Sequence, residues 1–174
     1  DENLQVVAEV KRPTSGDIYA SIMEAVQSIL DDSGIERTAI GKVMLGTTQC
    51  TNAIVERRGL APVALLRIGA PATVGIPPMA DWAEDIRKTV VAARIVGGGF
   101  EHDGKEIAPF DEAAVREFLK QVKGKVESVA ISSVFSTVRN DHELKAAELC
   151  REILGPDIHV SLSSEIGSMG LVER

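Results

Sequence analysis

Short, almost continuous apolar runs alternate along this chain with segments of helical period, and that alternation restricts its fold more than any other feature. "APVALLRIG" at 61–69 and "SVAISSVF" at 128–135 show little polar interruption, as strands covered on both faces do. Between such runs, apolar residues recur three and four apart, the spacing of an amphipathic helix. Strand, helix, strand in succession makes βαβ units with right-handed crossovers. The expected class is therefore α/β, with a mixed, mostly parallel sheet flanked by helices.

Taken in order, Leu4 to Val10 reads as a strand, and "PTSGD" marks a helix start capped by Ser15 or Thr14. Ile18, Ile22, Val26, Ile29 and Leu30 form one helical stripe, expected to lie on a sheet, and Gly34 closes it. "KVML" at 42–45 reads as a buried strand, "TTQCTNAIVERR" as a helix ended by Gly59, and 61–69 as a strand. Residues 70–109 read as an insertion: a Gly/Pro-rich loop, a short helix opened by the capping-box pair Asp81 and Glu84, and a hairpin around "HDGK" with a type I′ turn at Asp103-Gly104. A helix announced by Asp111 presents Ala114, Val115, Phe118, Leu119 and Val122; a second, with Asn140 and Glu143 at capping-box spacing, turns Ala146, Leu149, Cys150 and Ile153 inward. "HVSLSSEIG" at 159–167 is the last expected strand. The whole reads as one α/β domain over 1–174.

Composition narrows the function. At 174 residues, 44% hydrophobic and 3% aromatic, the chain builds an aliphatic core, burying about 70% of its unfolded surface without staples. A net charge of −7 and the lack of a basic stripe argue against nucleic acid. Two distant cysteines, Cys50 and Cys150, match neither a disulfide scaffold nor a zinc site and fit a reducing cytoplasm. No apolar run approaches the ~18 residues of a membrane span.

In parallel sheets ligands sit beyond the carboxyl ends of strands, and two turns qualify. At the first, Gly46, Thr47 and Thr48 precede a helix on which Thr48, Asn52 and Glu56 share one face. Amides and hydroxyls there suit an anion, aided by the helix dipole; the plainer reading, a threonine cap and a solvated Glu56, is favoured by spacing alone. The second turn, "SSVFSTVRNDHE", carries Ser136, Asn140 and His142, with His142 either a ligand contact or an exposed polar residue of a first helical turn, the latter favoured. His102 and His159 have no evident partner, so no catalytic triad is argued. Cys50 reads as a packed thiol rather than a nucleophile. "GGGF" at 97–100 lacks the lysine and hydroxyl of a P-loop and reads as a tight bend.

"GTTQCTNAIVERRG" at 46–59 resembles the GTT-x-x-TNA-x-x-ER-x-G signature of the hydantoinase/oxoprolinase family, near the amino end of its ATP-dependent subunit. "APVALLRIG", "SVFSTVRNDHE" and "VSLSSEIGSMGLVER" match further family segments in order. The resemblance implies the amino-terminal domain of an actin-like, sugar-kinase-like ATPase of the ribonuclease H-like type. The family's glycine-rich phosphate hairpin is missing from the start, so the chain reads as an excised fragment without its first strand, inactive alone and without tight ATP binding.

The same resemblance implies ATP-dependent opening of a cyclic amide, 5-oxoproline or a hydantoin, through phosphorylation of the amide oxygen, with ATP and Mg2+ as cofactors of the full-length protein. It carries over Gly46, Thr47, Thr48, Asn52 and Glu56 as residues holding substrate or phosphate, with Arg57, Asn140 and His142 as further candidates; no metal ligand and no catalytic residue is named. A partner subunit or homo-oligomer is implied as well. ATP-dependent ketone carboxylation within the family, or a non-catalytic binding module, are the alternatives.

Overall fold

A four-stranded, wholly parallel sheet organises the larger part of the protein. The computed structural model describes residues 5–13 and 15–166, and the chain divides between Thr48 and Gln49 into two compact units.

Among the described residues of the first unit, the long element is helix α1 (Ile18–Ser33). Its cap is Asp17, whose carboxylate accepts from the Ala20 amide at 3.0 Å. Ser15, the expected cap, instead donates its hydroxyl to the Asp17 carbonyl, and Thr14 lies outside the described residues. Gly34 closes the helix as its spacing predicts, its amide bonded to Leu30 O. The expected strands at 4–10 and 42–45 do not form. Leu4 is outside the described residues, and 5–10 and 42–45 are irregular, with Val6, Val7, Val43, Met44 and Leu45 exposed. A strand exists only through a ladder with a neighbour, and this unit has no ladder among its described residues. For the same reason the stripe of α1 lies on no sheet within its unit, and none of its residues is buried.

The second unit opens with α2 (Gln49–Glu56), followed by Gly59, and continues into β1 (Val63–Ala70), α3 (Glu84–Arg87) and β2 (Val90–Gly97). After these come α4 (Glu112–Val122), β3 (Ser128–Ser133), α5 (Asp141–Leu154), β4 (His159–Leu162) and α6 (Ser163–Ile166). The strand order is β2-β1-β3-β4. β2 is thus an edge strand of the main sheet, paired in parallel with β1, not one arm of an inserted hairpin. What remains of the hairpin is a single antiparallel bridge, Phe100 with Glu106. Its turn is not type I′, which needs positive φ at both central residues. Gly104 alone is left-handed, at φ +83°, with its amide on Glu101 O at 2.9 Å and Glu101 N on Lys105 O at 2.7 Å.

Three further expectations change. Asp81 caps nothing, because α3 begins after Ala83 with no side-chain cap. Asn140 precedes α5 without capping it, and Glu143 turns into the interior. The last strand stops at Leu162 and passes into α6, while Gly167 lies outside the described residues.

The core sits between one sheet face and helices α4 and α5. Ala64, Leu66, Ile68, Val129 and Ile131 alternate along β1 and β3 and meet Val115, Phe118, Leu119, Val122, Ala146, Leu149 and Cys150. Burial pushes the Cys150 thiol up to about 12, so it packs as an inert side chain; Cys50, read as packed, is exposed. Arg116 joins the two helices from outside, bonding both carboxylate oxygens of Glu152 at 2.8 and 3.1 Å. Truncating Leu119, which is fully buried, should cost about 2–5 kcal/mol in urea unfolding followed by circular dichroism, whereas Leu144→Ala on the exposed side of α5 should stay within about 0.5 kcal/mol.

Candidate functional site

Because β1 is followed by β2 on one side and β3 on the other, the sheet's topological switch point lies between the carboxyl ends of β1 and β3. Ligands of open parallel sheets favour that crevice. Here the chain itself occupies it. The segment after β2, Gly98 to Phe100, crosses the end of β1: Gly98 N donates to Ala70 O at 3.4 Å, Gly99 N to His142 Nδ1 at 3.0 Å and Phe100 N to Val134 O at 3.2 Å. A Cβ on Gly98, at φ +136°, would fall 2.5 Å from Ile68 Cγ2 and 3.0 Å from His142 Nδ1. The glycines therefore serve close packing, and the tight bend expected at 97–100 forms.

His142 enters this packing from the first turn of α5 and is buried, not exposed as its position predicts. Its ring lies between Phe100 and Phe110, with centroids 4.4 and 5.4 Å away. Since Nδ1 accepts from Gly99, the neutral ring carries its proton on Nε2, which faces a Glu106 carboxylate oxygen at 3.5 Å. Burial is the main influence and holds the His142 pKa below the ordinary histidine range, with Glu106 opposing it.

Beside it, Glu143 is fully buried. Its carboxylate accepts from Ser133 N at 2.8 Å, Ser163 Oγ at 2.6 Å and Ser164 N at 3.0 Å. Ser136 Oγ lies 3.0 Å from Ser163 Oγ. Since Ser163 commits its proton to Glu143, Ser136 is the donor of that pair. Capping-box spacing concealed this role, because the sequence offers Glu143 a nearer acceptor task than the one it performs. The "HE" pair and the serine-rich last strand were visible as motifs; that they meet was not.

Asn140 is exposed at the start of α5, and Arg139 beside it stacks its guanidinium 4.4 Å above the Phe100 ring. Asn52 and Glu56 stand one turn apart on exposed α2. Arg57, at φ +56°, bonds the Ile54 carbonyl and pairs with Asp85 at 2.8 Å, an interaction that lowers the Asp85 pKa. That pair belongs to the surface near Leu60, Pro62 and Thr89, where β1 and β2 begin. It is separated from His142 by the length of a strand, about 20 Å at ~3.3 Å per residue. Gly46, Thr47 and Thr48 belong to the first unit, in irregular chain.

A nucleotide's phosphates do not fit the glycine run, since its amides are bonded within the protein and a histidine fills the space beside them. Among the described residues, no group of three or more His, Cys, Asp or Glu side chains is arranged to hold a metal ion, and no helix is long and apolar enough to cross a membrane.

Two outcomes test this geometry. Gly98→Ala should destabilise the protein by about 2 kcal/mol or more in urea unfolding, against about 1 kcal/mol for Gly124→Ala, which meets open space. A histidine held neutral in the native state binds its proton more readily once unfolded, so its contribution is full above about pH 6.5 and is lost as pH falls. Between about pH 7 and pH 5 the unaltered chain should lose more stability than His142→Gln; equal losses would show that the imidazole is not held neutral.

Comparison with known proteins adds identity to this geometry. Over 74 residues the chain is 36% identical to the Caprolactamase subunit alpha of Pseudomonas jessenii, a match covering 42% of this chain and 10% of that protein. The aligned stretch is thus about a tenth of the relative's length. Residues 1–154 match the Hydantoinase/oxoprolinase N-terminal region, and on that extent the chain belongs to the hydantoinase/oxoprolinase family.

Proposed function

We propose that this chain is the amino-terminal region of an ATP-dependent enzyme that hydrolyses cyclic amides. Family membership over residues 1–154 is the observation that carries the reading. A relative named caprolactamase supports a cyclic amide as substrate, and its designation as a subunit supports a partner chain in the assembly. Within the family, 5-oxoproline and hydantoins are the substrates this reading favours, with simple lactams beside them. An amide is stabilised by resonance, so opening it in water requires activation of the carbonyl and a positioned nucleophile. ATP and magnesium belong to the proposal for the whole enzyme. The glycine run at 97–99, whose amides are engaged within the protein, has no part in binding them. The parallel α/β unit is compatible with one domain of an actin-like ATPase.

The residues assigned to substrate or phosphate are those of the signature: Gly46, Thr47, Thr48, Asn52 and Glu56. Asn52 and Glu56 have the exposure such a role needs. His142 is better suited to positioning, since both ring nitrogens face protein groups. Asn140, exposed at the head of α5, remains a contact candidate, and Arg57 is engaged by Asp85.

The test is ATP hydrolysis by the full-length gene product with caprolactam, 5-oxoproline, hydantoin, and simple ketones with bicarbonate. One cyclic amide should stimulate turnover at least about tenfold, and Asn52→Ala should lower kcat/KM by about tenfold or more, the loss of one substrate contact, with its melting temperature unchanged. Stimulation only by ketones with bicarbonate, or by nothing in the panel, would overturn the reading.

A further inference from the structure

The sheet face turned away from α4 and α5 carries a pocket of about 280 Å³. Leu65, Arg67, Ala130 and Ser132 line it, alternating along β1 and β3 with the residues that face the core. The loop between β1 and α3 adds Met79 and Trp82 as an apolar wall.

Arg67 is the unusual member. Only 7% of it is exposed, yet among the described residues it makes no ion pair. Its Nη1 donates to the Ile76 carbonyl at 2.7 Å, which anchors the guanidinium. Its Nε is buried with no hydrogen-bond partner. An uncompensated buried cation is costly, and so is an orphaned donor. Burial draws the Arg67 pKa down from its usual range, but an arginine stays charged at neutral pH. A planar carboxylate in the pocket would supply the missing negative charge and accept from the guanidinium where it lines the wall. The walls specify the rest of the ligand: Leu65, Met79 and the Trp82 ring offer an apolar surface for a carbon chain, while serine hydroxyls and the Trp82 indole N–H are the lining's other polar groups. A dianionic phosphate would face a single cation and otherwise neutral groups, a poor exchange for its hydration. The volume is at the small end for ligand sites.

We infer that this pocket binds a small aliphatic monocarboxylate, with its carboxylate on the guanidinium of Arg67 and its chain against Leu65, Met79 and Trp82. The inference does not depend on the residues assigned above to the amide substrate.

Trp82 is the chain's single tryptophan, so its fluorescence reports occupancy directly. Titration with hexanoate should give a saturable change with Kd at or below about 1 mM, while hexanamide, of the same shape without the charge, and acetate, with the charge but no chain, should bind at least about tenfold more weakly. Arg67→Gln should weaken hexanoate by at least about tenfold, the scale of a lost charge-assisted hydrogen bond. No saturable change, equal binding of hexanamide or acetate, or full retention by Arg67→Gln would overturn the inference. Should Arg67→Gln fail to fold, the comparison of the three ligands on the unaltered chain decides the question.

Discussion

The carboxylate of Glu143 is the contact on which the carboxyl edge of the sheet depends. One side chain from α5 accepts from the last residue of β3, from the Ser163 hydroxyl just after β4 and from the Ser164 amide. Hydrogen bonds to a charged group are worth about 1.5–3 kcal/mol each, and a buried carboxylate is tolerated only when such donors replace its water. The arrangement fixes where β3 ends, where α6 begins and how α5 enters. It also sets the depth of His142, the preceding residue, which brings the imidazole under the Gly98–Phe100 segment. The consecutive acid and base thus hold two neighbouring loops, one on each side of the switch point.

Holding those loops has a consequence for chemistry. The crevice that a parallel sheet offers to ligands is filled by glycine backbone, an imidazole and two phenylalanines. Its amides have partners, and the histidine is kept neutral by its surroundings. In this unit the carboxyl edge is a rigid support, while groups with freedom to meet a ligand stand elsewhere: on exposed α2, and on the opposite sheet face, where Arg67 is buried without a counter-charge. The two faces differ by a period of two along the strands. Leu66 and Ile68 close the core; Leu65 and Arg67 line the pocket.

How much of this was legible depended on whether the signal was local. The stripes of α4 and α5 faced inward as their spacing predicts, because an amphipathic helix carries its own instruction to bury one face. β1 and β3 formed where apolar runs lay between helices. The runs at 5–10 and 42–45 have the same composition and no ladder partner among the described residues, so the same signal produced no strand. Capping-box spacing misled twice. Asp81 sits too far before α3, and Glu143 is drawn away by an amide at the end of β3 and one in α6 that no local pattern reveals. For the site, the signature residues Gly46 to Glu56 stood out as a motif. Glu106, Ser133, Ser163 and Arg67 did not, because each acquires its role from a partner distant in sequence.

The sequence by itself therefore determined the α/β class, the inward faces of α4 and α5, the bend at 97–100 and the family, all of which follow from periodicity, turn chemistry or motif. Only the tertiary structure decided that β2 joins the main sheet, that His142 is buried beneath the glycines, that Glu143 ties two strand ends and that Arg67 lacks a counter-charge. Spacing along a chain fixes which residues share a face. Which polar group finds a partner, and which is left without one, is settled only when segments remote in sequence are brought within hydrogen-bonding distance and water is excluded between them.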